Sequence, residues 1–541
     1  MFAAAFVFWL ERGLTYGWDE YIWIEIGGLA PLSQFWHPYG GHLIVLPYYI
    51  FRGVLELFGS SFTAFSVIQV AGLSAMAALL YVYAKRRLGP VLALGPPLVL
   101  LFLGGSFPLL LEPMIGIQFL SAMVPGLAAI VVLEREDLRG DIGACVLLLL
   151  AVAGFSEGLI FLAGACVAVA LSPNWKRRLW LLAVPILAYG YWRHWAAQFH
   201  EPTGIVSSNI PLLPSYFIDA LAVYVTASFG LVGLIAPGPW TALRLYGATL
   251  GRICEGIIFF IFELLAVGAA ALALRKRLGG IPRSLWPAVT MLFVFFIELG
   301  VILVPGRTAA EQRYLYTGVL LLMIVVIEFA RGVRTTRLSV FIALLITAAA
   351  VIGNLPRFHD ARAVLNEYSM RMRADMAVIE LAGKHADQAF TPNVDLPAGV
   401  TPSAEVLNTG PWQIAAKRYG SPAYSIPALR AQSAAVRAEA DKVSARALRL
   451  GLKPAAAAGE CRRISAATAA AGFALPSGGA TLIPAGDSSV DLRRWADEYG
   501  VELGPIVGGQ TTALRIPPDA SSVPWRARLE PGTAVRLCPV R

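Results

Sequence analysis

Residues 62–84 read FTAFSVIQVAGLSAMAALLYVYA, an uninterrupted apolar run, and Lys85-Arg86-Arg87 follow it directly. An apolar segment of about 20 residues is long enough to cross the hydrocarbon core of a bilayer as a helix. The rest of the chain repeats this pairing of an apolar run with a short basic cluster. Of the 541 residues, 57% are hydrophobic and 15% charged. These values are typical of a polytopic α-helical membrane protein and exclude an ordinary soluble one.

The apolar runs predict about eleven transmembrane helices. The first run, Phe2–Tyr16, is short and carries Glu11 and Arg12, so either it tilts against other parts of the protein or the natural start lies upstream. It also lacks the basic segment and cleavage site of a secretory signal peptide. The predicted helices lie near residues 2–16, 62–84, 89–105, 115–133, 141–156, 157–172, 179–197, 252–274, 285–304, 314–330 and 338–354.

The short basic clusters predict the orientation of these helices. They all fall on one side of the predicted membrane, which the positive-inside rule makes the cytoplasmic side. With a cytoplasmic start and an odd number of spans, the tail from about residue 355 lies outside a cytoplasmic (inner) membrane. The net charge of +9 is then a topology signal and not a nucleic-acid surface. The clusters are Lys85-Arg86-Arg87, Arg135 with Arg139, Lys176-Arg177-Arg178, Arg275-Lys276-Arg277 and Arg331 to Arg337.

The segment 216–237 is also apolar enough to span a membrane. A span here would place Arg275-Lys276-Arg277 outside, against the pattern of the other clusters. We therefore predict a re-entrant or interfacial helix on the outer face, bounded by Pro214 and Pro237-Gly238-Pro239. A twelfth span is the alternative.

The composition changes near residue 354 and predicts two domains, 1–354 in the membrane and 355–541 outside it. Helical periodicity covers 357–385 and 426–450, and short strand-like runs follow from about residue 473. An extracytoplasmic α+β or β-sandwich domain is expected. Cys461 and Cys538 are the only cysteines of this tail. In an oxidising compartment they predict one disulfide, with two buried free thiols as the alternative.

Ionisable side chains gather on the predicted outer side. Asp19 and Glu20 open a long first loop that also contains His37, His42 and Arg52. Ionisable groups beside a bilayer are costly, so they often mark function. The predicted topology places all six histidines on this side. Histidine also prefers aqueous loops, which is the plainer explanation and suits His359 and His385 of the tail best.

Two short motifs resemble one family. Trp18-Asp19-Glu20-Tyr21 follows the first helix, and Arg313-Tyr314-Leu315-Tyr316 occurs late in the membrane part. With many spans and an outer C-terminal domain, these motifs resemble the GT-C membrane glycosyltransferases that use polyprenyl-phosphate-linked sugars. By its placement alone, the outer domain 355–541 resembles the carbohydrate-binding β-domains that some members carry. The second motif looks like the Arg-Tyr-x-x-Pro element of such enzymes, although Thr317 stands where proline is often seen. His42 to Pro47 looks like a His-x-x-x-x-Pro element of bacterial members.

The resemblance implies a transfer of a sugar from a polyprenyl-phosphate donor to a cell-envelope glycan or lipid acceptor. A phosphate leaves readily, so one base is enough to take the acceptor proton. Asp19 is the expected base, with Glu20 as its substitute or orienting group. Arg313 is expected to bind the donor phosphate, assisted by Arg52, Arg307, His37 or His42. Acceptor or sugar contacts are expected from Glu157, Trp18, Trp36 and Tyr39.

Each of these residues also has a structural interpretation. Asp19 and Glu20 could be a charge pair at a helix N-terminus, Arg313 an interfacial anchor, and Glu157 the mark of a helical hairpin. No cofactor is required. The sequence leaves open whether a divalent ion is held by His37, His42 and Asp19. Glu263 and Glu298 lie inside predicted spans and support the alternative of a transporter or lipid flippase.

Overall fold

The structure is a computed structural model that describes residues 2–17, 20–199, 209–210, 213–231, 276, 280–302, 309–392, 407–456 and 459–540. It divides the chain into two compact units. The membrane unit comprises Met1–Arg12, Ala30–Gly53 and Phe62–Ala363, and the tail unit comprises Gly13–Leu29, Val54–Ser61 and Val364–Arg541. The division differs from the predicted boundary after residue 354, because two short N-terminal segments belong to the tail unit.

Helices make up most of the described chain. Helix α10 contains Pro185, and α14 is a long helix that contains Pro356. In chain order the helices are α1 (Phe2–Leu10), α2 (Glu20–Leu29), α3 (Val45–Phe58), α4 (Phe62–Leu88), α5 (Gly95–Leu101), α6 (Phe107–Leu111), α7 (Pro113–Leu133), α8 (Leu138–Gly154), α9 (Glu157–Ala170), α10 (Trp175–Ala196), α11 (Leu213–Ser228), α12 (Leu285–Val301), α13 (Gln312–Phe329), α14 (Arg337–Ala382), α15 (Thr409–Tyr419), α16 (Ile426–Arg430), α17 (Ala434–Ala447) and α18 (Ala466–Ala471).

Five helical segments of the described chain are long and apolar enough to cross a membrane. They are Phe62–Leu88, Leu92–Leu111, Pro113–Leu133, Gln312–Phe329 and Arg337–His385. Helices α9 and α12 are apolar but shorter. A helix occupies each predicted range except 252–274, which lies outside the described residues. The chain is therefore a helical membrane protein, and the number of eleven spans stays a prediction.

Four of the five predicted cytoplasmic clusters lie at one end of the membrane unit, called the basic end below. Most of the fifth, Arg275-Lys276-Arg277, lies outside the described residues. Arg86 and Arg87, at the end of α4, both form ion pairs with Glu134 after α7. Arg87 also pairs with Glu328 of α13, a fully buried carboxylate that accepts a hydrogen bond from Tyr83 Oη at 2.6 Å. The ends of three helices are thus tied together by the residues that the positive-inside rule singles out.

Helices α8 and α9 form a tight hairpin at the other end of the unit. Phe155 is extended (φ −172°, ψ 173°), so the chain leaves α8 and re-enters a helix at Glu157. Gly158 lets the two helices approach closely, since a Cβ there would lie 2.2 Å from the Ala151 carbonyl oxygen. The hairpin tip therefore depends on glycine and is held against α7 and α8 by close packing.

Helix α11 covers most of the described part of the segment 216–237, for which a re-entrant or interfacial helix is predicted with a twelfth span as the alternative. Its first residue, Leu213, and also Tyr216 pack against Gly300 near the end of α12. Beyond its last turn, Gly230 lies against Gly353, and Asn354 Nδ2 donates to the Ser228 carbonyl oxygen at 3.1 Å. In the predicted alternation both partners lie at the outer end, and the choice between the two alternatives stays a prediction. Most of 232–279 lies outside the described residues.

The C-terminal part of the tail unit contains two antiparallel sheets. The five-stranded sheet has the order β1-β7-β4-β9-β2, and the four-stranded sheet has the order β3-β8-β5-β6. Side chains of both sheets, including Leu482, Val490 and Leu514, share one buried core. Cys461 and Cys538 are joined by a disulfide beside the β2–β9 pair. The strands are β1 (Leu452–Pro454), β2 (Arg462–Ile464), β3 (Phe473–Ala474), β4 (Gly479–Pro484), β5 (Ser488–Arg493), β6 (Val501–Ile506), β7 (Thr512–Arg515), β8 (Arg526–Leu529) and β9 (Val535–Cys538).

Helix α2 packs against α15 within the tail unit. The Glu25 carboxylate accepts hydrogen bonds from the backbone N–H of Asn408 at 3.0 Å and from its side-chain amide at 3.2 Å. Tyr419 Oη donates to the Gly28 carbonyl oxygen at 2.6 Å. Burial raises the pKa of Glu25 from its usual 4.5 to about 7, although the two hydrogen bonds from Asn408 act in the opposite direction.

Candidate functional site

The loop that contains Trp36 and His37 lies against the end of α10. Trp192 Nε1 donates to the Trp36 carbonyl oxygen at 2.8 Å. The His37 ring lies 4.3 Å from the Phe199 ring and 5.6 Å from the Trp195 ring, measured between centroids. The Trp36 side chain itself is 49% exposed. An exposed indole is a surface on which a sugar ring can stack.

His42 is presented by a tight turn. Tyr39 and His42 exchange two backbone hydrogen bonds of 3.1 and 3.0 Å across Gly40 and Gly41. Both glycines have positive φ, +56° and +81°, as this two-residue turn requires. His42 Nδ1 forms a hydrogen bond with Ser156 Oγ, and its ring lies 4.7 Å from that of Phe155. The turn therefore brings an imidazole to the tip of the α8–α9 hairpin.

Glu157 adds a buried carboxyl to this tip. It is the first residue of α9 and only 4% exposed. Its Oε2 atom has no hydrogen-bond partner among the residues that the structure describes. The carboxyl of Glu298, in α12, lies close enough to interact with it electrostatically. Imidazole, hydroxyl and carboxyl groups thus come together near the ends of apolar helices, in a cluster formed by His42, Ser156 and Glu157.

Arg313 and Arg52 are the described arginines among the predicted phosphate ligands. Arg313 begins α13, is half-buried and forms an ion pair with Glu311 at 3.1 Å. Its guanidinium also lies 5.7 Å from the Tyr314 ring centroid. Arg52 is half-buried in α3 and already interacts with other groups. The Arg313 side chain is 37% exposed, so part of it is accessible to an anion.

The remaining predicted site residues are either held in structural contacts or lie outside the described residues. Glu20 is fully buried, and its carboxylate accepts a hydrogen bond from the Gly17 N–H at 2.7 Å at the start of α2. That contact supports the structural role of a residue at a helix N-terminus. Trp18, Asp19 and Arg307 lie outside the described residues, so their predicted roles are not tested. Tyr39 is half-buried beside the His42 turn.

Two features of this end were not predicted as part of a site. The first is the aromatic support of the Trp36–His37 loop, which consists of Trp192, Trp195 and Phe199. The second is Glu298, whose carboxyl interacts electrostatically with that of Glu157. The aromatic spacing at the end of α10 was the available signal, because residues 192, 195 and 199 recur every three to four positions and share one helix face. A partner for Glu157 had no local signal, since Glu298 is 141 residues away in the chain.

The described residues contain no group of three or more His, Cys, Asp or Glu side chains arranged to hold a metal ion. His37 packs against aromatic rings, and His42 Nδ1 is engaged by Ser156. Asp19, the third predicted ligand, is outside the described part of the chain. The sequence-based option of a divalent ion at these three residues therefore stays open.

Comparison with known proteins yields one structural likeness. No family model matches the chain, and no curated protein matches it. Among solved structures, the chain is similar to ArnT from Cupriavidus metallidurans bound to undecaprenyl phosphate. The identity is 14%, the TM-score is 0.42, and the match covers 76% of this chain and 84% of that one.

Proposed function

We propose that the protein transfers a sugar from a polyprenyl-phosphate donor to a hydroxyl of a cell-envelope glycan or lipid, at the outer face of the cytoplasmic membrane. The observation that carries the proposal is the cluster at the end of the membrane unit opposite the basic end. There, His42, Ser156 and Glu157 meet near the ends of apolar helices, and the exposed Trp36 lies in the same loop as His42. Such a cluster suits a reaction between a lipid-borne anion and a polar acceptor.

The proposed reaction needs few protein groups. The bond between the anomeric carbon and the phosphate oxygen breaks, and the acceptor oxygen forms the new bond to that carbon. The acceptor proton goes to a carboxylate base, and the electron pair leaves with the phosphate. The phosphate departs as an anion, so a cation that binds it lowers the barrier. Because phosphate is a good leaving group, the reaction does not require the general acid that protonates the leaving group in glycoside hydrolysis.

We assign the roles as follows. Asp19 is the proposed base, on the strength of its position after the first helix and the motif Trp18-Asp19-Glu20-Tyr21. Arg313 is the proposed phosphate ligand, supported by its partly exposed guanidinium. Glu157 is proposed to bind the acceptor, because its Oε2 has no hydrogen-bond partner among the described residues and a carboxyl group can exchange hydrogen bonds with a hydroxyl.

A direct assay tests the proposal. The purified full-length protein is incubated with radiolabelled polyprenyl-phosphate sugars and an envelope lipid or glycan extract, and transfer is followed by chromatography. Product formation that depends on the protein supports the proposal. Absence of transfer with every donor, while the protein remains folded and monodisperse, contradicts it.

Transport is the second candidate, and Glu298 is the observation that favours it. This residue lies within α12, near Glu157, and carboxyls inside membrane helices are common in transport pathways. The reconstituted protein should then move a labelled lipid or solute across a vesicle membrane without forming product. Glu298→Gln would abolish that movement. Unchanged movement in the variant removes the support for transport.

A further inference from the structure

A basic cavity lies in the tail unit between α17 and the edge strand β6. Its volume is about 280 Å³. Lys442, Arg446 and Arg449 line one wall, and the carboxylate Glu502 is the acidic group of its lining. Arg449 forms an ion pair of 2.6 Å with Asp387. Lys442 and Arg446 are exposed and form no ion pair within the described part of the chain. The cavity therefore has a surplus of positive charge.

The field of helix α17 explains only one of these cations. A basic side chain near a helix C-terminus is stabilised by the partial negative charge of the helix, and the effect fades beyond the last turn. Arg446 lies in that last turn. Lys442 lies a turn earlier, and Arg449 comes after the helix has ended. Positions 442 and 446 lie one turn apart on the same face of α17, and Arg449 lines the same cavity. The three charges are therefore better explained by something that they jointly face.

The backbone at Arg449 points the same way. Its φ of +52° lies in the left-handed region, which glycine occupies freely and side-chain-bearing residues seldom do. This position follows the C-cap of α17, where glycine is the usual residue. Arg449 therefore has an unfavourable backbone conformation that glycine would avoid, and it places a cation in the cavity wall that glycine could not supply. Strain of this kind often marks a functional position.

We infer that this cavity binds a sugar unit carrying a carboxylate or phosphate, within an anionic glycan. The cations would hold the acid group, with Arg446 suited to two parallel hydrogen bonds. The partly exposed side chain of Leu503, together with the backbone of Gly500 and β6, would contact the sugar ring. As an acceptor site the cavity rests on the proposed transferase function, whereas binding itself does not depend on it.

Two other anionic partners fit less well. An acidic peptide could extend the sheet at β6, but Pro505 lacks the N–H that a continuous ladder needs. An anionic membrane surface is usually bound with apolar side chains inserted beside the basic ones. In the described residues of 434–540, Val507 is the one large apolar side chain that is strongly exposed. A concave cavity with few exposed apolar side chains around it is better suited to a soluble polymer than to a membrane surface.

Binding of a defined oligosaccharide tests the inference. The full-length protein in detergent is titrated with an octamer of galacturonic acid, and its affinity is compared with that for maltooctaose, octaglutamate and glycerophosphoglycerol. Only the galacturonate octamer should bind well, and more weakly as salt increases. The double variant Lys442→Ala/Arg446→Ala should lose about tenfold or more in affinity, since two charge-assisted contacts disappear. Lys442→Arg/Arg446→Lys keeps both charges and should retain binding.

A matched control removes the same number of charges elsewhere. Lys453 and Arg462 are exposed on other strands of the same domain, so Lys453→Ala/Arg462→Ala should leave the affinity within about twofold. Equal affinity of the cavity variant and the wild type would overturn the inference. So would equal or tighter binding of octaglutamate or of the lipid headgroup. No sugar donor is present, so a failure of sugar transfer in the separate assay leaves this result unaffected.

Discussion

Glu25 makes the stability of the tail unit sensitive to pH. Its folded pKa of about 7 lies above the usual 4.5, so the folded state binds more protons than the unfolded state between these values. The contribution of the protonated carboxyl is complete below about pH 4.5. It is lost as the pH rises through about 7. The full effect is on the order of 3 kcal/mol.

Glu25→Gln should therefore change the pH dependence of unfolding. Glutamine keeps an acceptor for Asn408 and does not ionise. We expect the wild-type melting temperature to fall relative to that of the variant between pH 5 and pH 8. Thermal unfolding of the full-length protein at several pH values measures this difference. Glu498→Gln, at an exposed carboxyl, is the control and should parallel the wild type. A constant offset between wild type and Glu25→Gln across this range contradicts the prediction.

Asp19 is the residue on which the proposed chemistry depends most. Asp19→Asn keeps the size of the side chain and removes the base. Sugar transfer should fall by roughly 10²–10⁴-fold, the usual contribution of a general base. Asp360→Asn, the same change at an exposed carboxylate, should leave the rate unchanged. Single-turnover transfer by purified variants is the measurement, and full activity in Asp19→Asn excludes the assignment.

Arg313 tests the proposed phosphate contact. A lysine keeps the charge but loses the planar fork that binds a phosphate through two hydrogen bonds. Arg313→Lys should therefore raise the KM for the lipid-linked donor and lower kcat/KM. Arg331→Lys at the basic end should change neither, since that side chain contacts Ser284. Wild-type kinetics for Arg313→Lys would show that its pairing with Glu311 is purely structural.

At the level of elements, a substitution at the junction after α17 should affect the stability of the tail unit and its glycan affinity differently. Arg449→Gly places glycine where φ is positive, which relieves backbone strain, and removes one cation from the cavity wall. We expect the melting temperature to stay the same or rise while galacturonate affinity falls severalfold. Calorimetry and titration of the same sample measure both. A drop in melting temperature with unchanged affinity would mean that the ion pair with Asp387 is the main role of Arg449.

At the scale of the whole molecule, the disulfide closes a long loop of the tail. Cys461 and Cys538 are separated by 77 positions and enclose strands β2 to β9, with Cys538 at the end of β9. The chain-entropy model gives on the order of 4 kcal/mol for a loop of this size, as an upper guide. Cys461→Ser/Cys538→Ser should therefore lower the unfolding temperature of the oxidised protein by several degrees. The reduced wild type should match the double variant, and a difference between these two samples would point to damage from the substitutions.

The orientation of the chain is a prediction that labelling in cells can test. Glu498→Cys places a thiol on the tail, and Arg135→Cys places one at the basic end, both at exposed positions. A membrane-impermeant reagent should label the first in intact cells and the second only after the membrane is broken. The reverse result would mean that the tail is cytoplasmic, which would remove the setting for the proposed outer-face reaction.

The sequence carried the features that depend on near neighbours. Runs of apolar residues predicted the membrane helices, and alternation with turn residues predicted strands at β4, β7, β8 and β9. Strand β5 was missed because Asp491 and Arg493 are charged, although their side chains alternate with buried ones. Helix α2 was assigned to a loop, because ten residues are too short for a span and nothing local shows that α15 covers it.

The sequence by itself determined that the chain is a helical membrane protein with basic clusters on one side and a strand-rich tail. The length of an apolar run determines whether it can span a bilayer, and the position of Lys and Arg determines its orientation. Both are local properties of the sequence. Only the tertiary structure decided that His42 meets Ser156, that Glu25 meets Asn408, and that Lys442 and Arg449 line a cavity with β6. These contacts join positions that are distant in the chain or depend on a neighbouring element. They follow from the packing of whole elements, which no short stretch of sequence specifies.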